Sequence, residues 1–512
     1  MVLRFLALAL VLLQGIASAQ TLEQKLDALK EFRKFFPRFK ETPDKVEAIH
    51  GLKLSDCAET AEELLKILRE KEPEVRDAAK KVLSGFTDQA TFSPLIADLP
   101  KTTDPVRRAT IIEVLGIARQ TSAVSALSQL VGAQGQPVEV RYFLLRTLAL
   151  LDAKSEGKKL VPYLKDPEYV VRIAACDTLG QFREKEAGVP MVPLLKDPMF
   201  QVKAAAIKAV GLIRVQEAVE PLIDILGEEG RFKIEAADAL YEITDSDYGT
   251  DQAMWKKTWT NLKGMGFKIP SDEELAKARA NRKKAAEQYK RAPTTAKTYH
   301  HVPIVSKQVL FVIDVSGSMA DLVVEREKFK QAGFTSFEKL EIVKTELENT
   351  IKNLDDNTNF NILAFATKVK RWKDWLVPAN ITNRAAAISF VKGLRPLGAR
   401  EDPMGGAGAP DEGKTNTFGA LMAAFELDPS KDAVITGGKE APKNKLDTIF
   451  FLSDGRPSTG KYVDTTEILG EVKKVNATRR IVLHAIAIGE FQKEFLKQLA
   501  EDNGGKFVDL GN

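Results

Sequence analysis

The stretch FVIDVSGSM, residues 311–319, drives three apolar residues into an aspartate and then into a turn of small hydroxyl residues. With the residues before it, QVLFVIDV (308–315) reads as a strand buried on both faces, which predicts a place inside a parallel sheet. Working outward from it, helical and strand patterns alternate. SFEKLEIVKTELENTIKNL (336–354) has helical periodicity, NFNILAFA and VKRWKDW read as strands, and NRAAAISFVKGL and TFGALMAAFEL read as helices. LDTIFFLSD (446–454) is a second buried strand ending in aspartate, RRIVLHAIAIG (479–489) is a third, and a helix and a short KFVDL strand follow. This alternation predicts a doubly wound α/β domain over residues 304–512.

Ligands of such sheets sit at the carboxyl ends of strands, where the strand order reverses. Two strands here end in a carboxylate, Asp314 and Asp454, and Ser316 and Ser318 alternate outward from the first of them. Two carboxylates with hydroxyls form a hard, all-oxygen donor set, suited to Mg²⁺ or a similar cation and poor for Zn²⁺. Taken singly, Ser-Gly-Ser after a strand is a helix-capping turn and Asp454-Gly455 a plain turn; their joint occurrence points to a metal site.

DVSGS with a downstream TNT and FFLSDG resembles the von Willebrand factor A domains that carry a metal-ion-dependent adhesion site. The resemblance implies that Asp314, Ser316 and Ser318 form a first loop, that Thr415 of KTNT supplies a second, with Thr417 as the alternative, and that Asp454 supplies a third. It implies Mg²⁺ (or Mn²⁺ or Ca²⁺) as the ion, its shell completed by an exposed Asp or Glu of a protein partner. Three stretches exceed a minimal domain of this kind: the Gly-rich 395–414 before the Thr loop, 320–335 after the first loop, and 429–445 before the Asp454 strand.

GAPDEGKT (408–415) also matches G-x-x-x-x-G-K-[ST], the phosphate-cradling loop, and makes a nucleotide hydrolase the rival class. That loop needs a strand running straight into it, whereas RPLGAREDPMGGAGAP precedes it here. An exported metallohydrolase using the open cation positions is the other enzyme reading. No HExxH, G-x-S-x-G or histidine cluster supports it, and His484 reads as a core strand residue. The expectation is a non-enzymatic binding module.

The first half of the chain repeats itself. DPEYVVRIAACDTLGQF starts at Asp166 and DPMFQVKAAAIKAVGLI at Asp197, 31 residues on; Val171, Leu179 and Gly180 recur as Val202, Val210 and Gly211. Related copies start at Pro73, Asp104, Val138 and Gly230, and LVPYLKDP (160–167) recurs as MVPLLKDP (191–198). Each unit reads as two short amphipathic helices that bury their apolar faces only by stacking. The pattern resembles HEAT-like repeats and predicts an all-α solenoid over 60–245, a surface for binding protein. Residues 20–59 read as a lead-in helical segment. Residues 246–303 read as a helical linker in which Trp255 and Trp259 share a face, 272–291 is strongly charged, and His300-His301 is a weak metal signal.

The 512 residues suggest roughly three domains. A net charge of +4 with both signs interspersed argues against nucleic-acid or membrane-surface binding. Arg4, the apolar run Phe5 to Leu13 and ASAQ (17–20) read as a signal peptide cleaved after Ala19, so export to a periplasm or the exterior is expected. No later stretch is long enough for a membrane span. Cys57 and Cys176 read as small buried hydrophobes, with their pairing left open. The sequence leaves the oligomeric state open.

Overall fold

A computed structural model describes residues 20–277, 298–398, 412–427, 445–489 and 493–510. The expected signal peptide, most of the Gly-rich insertion, nearly all of 429–445 and much of the charged 272–291 stretch therefore lie outside the described residues. The chain divides into two compact units, residues 1–160 and 161–512.

The described part of the first unit is all helical. Its longer helices include Leu22–Phe35, Ala58–Ile67, Pro73–Ser84, Pro105–Ile117 and Val138–Leu150. Pro73 and Pro105 open their helices, where a missing N–H costs nothing. Asp104 caps the second of these by accepting from the Val106 and Arg107 amides.

The second unit begins with the same grammar in Tyr169–Phe182, Phe200–Ile213 and Phe232–Thr244. The 31-residue period has two physical marks. Asp152, Arg183, Arg214 and Asp245 all take the left-handed conformation just past a helix end. Glycines mark the helix crossings: a Cβ on Gly180 would stand 2.9 Å from the Ala209 Cβ, and one on Gly211 would stand 3.2 Å from the Ala239 Cα. The second half of the repeat differs from the expected regular helix. Residues 185–196 fold as a 3₁₀ turn, one α turn (Gly188–Met191) and another 3₁₀ turn. Residues 154–165 repeat the pattern, and Pro162 and Pro193, which have no N–H for an α-helical ladder, each fall in the closing 3₁₀ turn. Trp255 and Trp259 are buried on one face of Gln252–Gly264, and the Trp255 indole donates to the Gly249 carbonyl at 2.9 Å. Both cysteines are free and buried, so they do not pair.

The α/β part is a seven-stranded sheet. It contains β3 (Gln308–Asp314), β4 (Asn359–Phe365), β5 (Val369–Arg371), β6 (Val377–Pro378), β7 (Thr448–Ser453), β8 (Val482–Ala487) and β9 (Phe507–Asp509). Its order is β5-β4-β3-β7-β8-β9, with β6 paired to β4; β5 and β6 run antiparallel to β4 and the other pairs are parallel. Alternation along β3 feeds two cores. Val309, Phe311 and Ile313 pack with the helix Lys339–Asn353, while Leu310 and Val312 pack with Thr417–Ala424 and Thr465–Arg479.

A small antiparallel ribbon of β1 (Thr298–Tyr299) and β2 (Val302–Pro303) precedes the sheet, inside the stretch read as linker. Tyr299 is fully buried, edge-on to Phe311 and Phe450 at 5.1 and 5.7 Å. His300 and His301 form the ribbon's turn, with φ of 44° and 66°. Burial pushes the His300 imidazole down to about 3, which keeps it neutral. The 320–335 insertion carries a short helix, Arg326–Gln331, and anchors Phe329 in the core.

The helical repeats of this unit touch the sheet at the amino ends of its strands. Arg231 is buried and donates through Nη1 to the Asp447 carbonyl at 2.7 Å, just before β7. Asn357 reaches Glu229 at 2.5 Å, and Arg480 pairs with Asp177. At about 3.3 Å per strand residue, Asp447 lies about 23 Å from Asp454. The carboxyl ends of β3 and β7 are at the opposite edge.

Candidate metal centre

The chain leaves β3 on one side for β4 and reaches β7 on the other, so the strand order reverses between β3 and β7. Asp314 ends β3 and Asp454 follows β7 directly. Both are buried, at 0% and 2% exposure.

The first loop is held locally. The Ser316 amide donates to Asp314 Oδ1 at 2.8 Å, and the Ser316 and Ser318 hydroxyls lie 3.3 Å apart. Ser318 Oγ donates to Asp454 Oδ1 at 2.8 Å, joining the first loop to the third. Thr415 is buried; its amide donates to Ser458 Oγ at 2.9 Å and its carbonyl accepts from the Ser458 amide at 3.0 Å. A Cβ placed on Gly455 would stand 2.9 Å from Thr415 Oγ1 and 3.5 Å from both Asp314 Oδ2 and Ser318 Oγ. Oxygens from the first and second loops therefore border the space beside Gly455 of the third, and Ser318 ties Asp454 to them. Thr417, the alternative to Thr415, is instead the first residue of the helix Thr417–Ala424, buried with its hydroxyl unpartnered.

Two carboxylates and three hydroxyls, with no nitrogen or sulfur among them, fit a hard divalent cation. Among the described residues no three His, Cys, Asp or Glu side chains cluster as a metal site; the hydroxyls supply the remainder of this donor set.

Burial, and then the charge of Asp454, raise the Asp314 carboxyl well above its ordinary range. Two neighbours absent from the sequence reading answer these charges. Ser453 donates through Oγ to Asp314 Oδ2 at 2.5 Å, and Lys339 donates through Nζ to Asp454 Oδ2 at 2.6 Å. Ser453 stands directly before Asp454, an available signal; Lys339, 115 residues from its partner, carries none.

Of the phosphate-loop match, residues 408–411 lie outside the described residues. Residues 412–414 turn beside the first loop, where the Gly317 amide donates to the Gly413 carbonyl at 3.1 Å. The Thr415 amide, which a phosphate cradle would need, is committed to Ser458. His484 is on β8, its Nδ1 accepting from the Lys506 amide at 2.9 Å.

The von Willebrand factor type A domain family matches residues 331–509. Human inter-alpha-trypsin inhibitor heavy chain H4 is 29% identical over 203 residues, 39% of this chain and 18% of the relative. The golden hamster (Mesocricetus auratus) heavy chain H1 is 28% identical over 203 residues, again 39% of this chain and 18% of the relative. Residues 331–509 are a von Willebrand factor type A domain. The chain thus spans less than a fifth of the length of the relatives it matches. A solved von Willebrand factor type A protein from Catenulispora acidiphila is 19% identical, covering 41% of this chain and 39% of its own at a TM-score of 0.27. The match to the von Willebrand factor type A family takes in Thr415 and Asp454 and begins after Asp314, Ser316 and Ser318, so the first loop rests on its own geometry. No helix among the described residues is long and apolar enough to cross a membrane.

Proposed function

We propose that this chain is an exported, non-enzymatic binding protein whose von Willebrand factor type A domain grips a partner through a divalent cation. Asp314, Ser316, Ser318, Thr415 and Asp454 hold the ion, Mg²⁺ by preference, with Mn²⁺ or Ca²⁺ as substitutes. The ion supplies an open coordination position for an exposed Asp or Glu of a protein partner. The helical repeats add a second protein-binding surface. The observation that carries this reading is the approach of first- and second-loop oxygens to the space beside Gly455, with Ser318 Oγ tying the first loop to Asp454. A hard cation takes six or more oxygens; five side chains leave room for one from outside.

The test is calorimetric titration of the full chain with Mg²⁺ and Mn²⁺, wild type beside Asp314→Ala, with ATP titrated in the same series. Saturable cation binding that vanishes in the variant is expected, with no heat from ATP. Pull-down of acidic-tailed peptides should then require the cation. Partner binding that survives both the substitution and a chelator refutes the mechanism, and ATP binding revives the hydrolase reading.

A further inference from the structure

Lys339 is the first residue of the helix that packs behind the first loop, and only 8% of it is exposed. Its ammonium lies 2.6 Å from Asp454 Oδ2 and 3.4 Å from the Ser318 carbonyl. It is 3.7 Å from Asp321, whose side chain is 70% exposed. Water screens that last pair, whereas the pair with Asp454 is sealed. A lysine is almost never buried without a purpose for its charge. Its helix begins here, where the dipole disfavours a cation, so the carboxylate is what holds it. The contact engages Oδ2 and leaves Oδ1 to Ser318, on the side of the cation space.

We propose that Lys339 is a resident counter-ion that sets the charge of the cation site and thereby makes an anionic ligand its natural completion. This inference rests on the cation reading above. Two buried carboxylates and one ammonium leave the empty site with a formal charge of −1. A divalent ion turns that to +1, a surplus that a partner's carboxylate cancels. Without Lys339 the loaded site would be neutral: it would hold its cation more tightly and attract a carboxylate less. Lys339 is thus a positioning and specificity residue that trades cation affinity for selectivity toward acidic partners.

The two effects have opposite signs, which separates this role from structural damage that weakens both. In the full chain, Lys339→Met should tighten Mg²⁺ in calorimetry by about tenfold or more, because like-charge repulsion at short range in a screened interior is removed. With Mn²⁺ loaded, acetate serves as the carboxylate probe, and displacement of metal-bound water is read by water-proton relaxation. Acetate should bind about tenfold more weakly to the variant, and Lys339→Arg should return both quantities toward wild type. If Lys339→Met does not fold with or without Mg²⁺, Lys339→Gln takes its place, with the same directions expected. Unchanged Mg²⁺ affinity in a folded variant, or losses in both assays, overturns the role of Lys339 alone. A wild type that binds neither Mg²⁺ nor Mn²⁺ overturns the cation site itself and this inference with it.

Discussion

Replacing Asp314 by Asn should stabilise the cation-free protein while abolishing its response to divalent cations. The side chain is wholly buried, with the Asp454 carboxylate at the end of the adjacent strand. Asn keeps the hydrogen bonds: Oδ1 still accepts from the Ser316 amide, and the new amide donates to Ser453 Oγ, reversing the existing bond. What disappears is a desolvated charge beside a like charge, and its removal should gain about 2–4 kcal/mol at neutral pH. The sign with pH follows from the raised carboxyl. The folded chain holds this proton more tightly than the unfolded chain, so cation-free wild-type stability falls as pH rises from about 4 toward neutrality. The Asn variant should lack this component. Adding cation at about 100 times its dissociation constant should stabilise wild type by about 2.7 kcal/mol and the variant not at all. Urea unfolding of both proteins at acid and neutral pH, with EDTA and with Mg²⁺, gives all the comparisons. An Asn variant no more stable than wild type in EDTA at neutral pH refutes the electrostatic account; one that still gains stability from Mg²⁺ refutes the site.

Gly455→Ala should crowd Thr415 Oγ1, which the new methyl would meet at 2.9 Å. Cation affinity should drop about tenfold, while cation-free stability falls by about 1–3 kcal/mol as buried side chains give way; calorimetry and urea unfolding check the two. Arg231→Met removes the buried cation that serves both the Asp447 carbonyl and Glu235, 3.1 Å away. It should cost about 3–5 kcal/mol and leave Mg²⁺ affinity unchanged, since the contact is at the far edge of the sheet. A parallel loss of cation binding would show the two edges to be coupled. Burial holds the His484 imidazole down at about 4. The unfolded chain therefore takes up a proton that the folded chain refuses, and stability present above about pH 6.5 is lost as pH falls toward 4, by about 3 kcal/mol. His484→Gln, which can still accept from the Lys506 amide, should flatten that part of the acid limb in urea unfolding.

Much of the candidate site was readable because its first loop is local. The Ser316 amide bonds to a side chain two residues back, a turn that DVSGS spells directly. The buried strands were equally plain, since β3 and β7 are apolar on both faces, and a carboxylate ends the first and directly follows the second. The asparagines of two glycosylation sequons look alike in sequence yet part company in the fold: Asn380 is an exposed helix cap, whereas Asn476 is buried and bonds to Ile481 and Asn503. The repeat's second half was less plain, because its proline falls in a 3₁₀ turn and does not open a regular helix.

The sequence by itself determined the 31-residue repeat, the alternation of strands and helices, and the turn after Asp314, because each is a property of neighbours along the chain. Tertiary structure alone decided that Lys339 meets Asp454, that Ser453 aims at Asp314 across 139 residues, and that Thr415 Oγ1 stands beside Gly455. It also decided that the helical repeats of the second unit meet the sheet through Arg231 at the edge away from the carboxylates. These partners are joined by the order of strands in the sheet. That order is selected by burying two cores at once, and no local pattern of residues carries it.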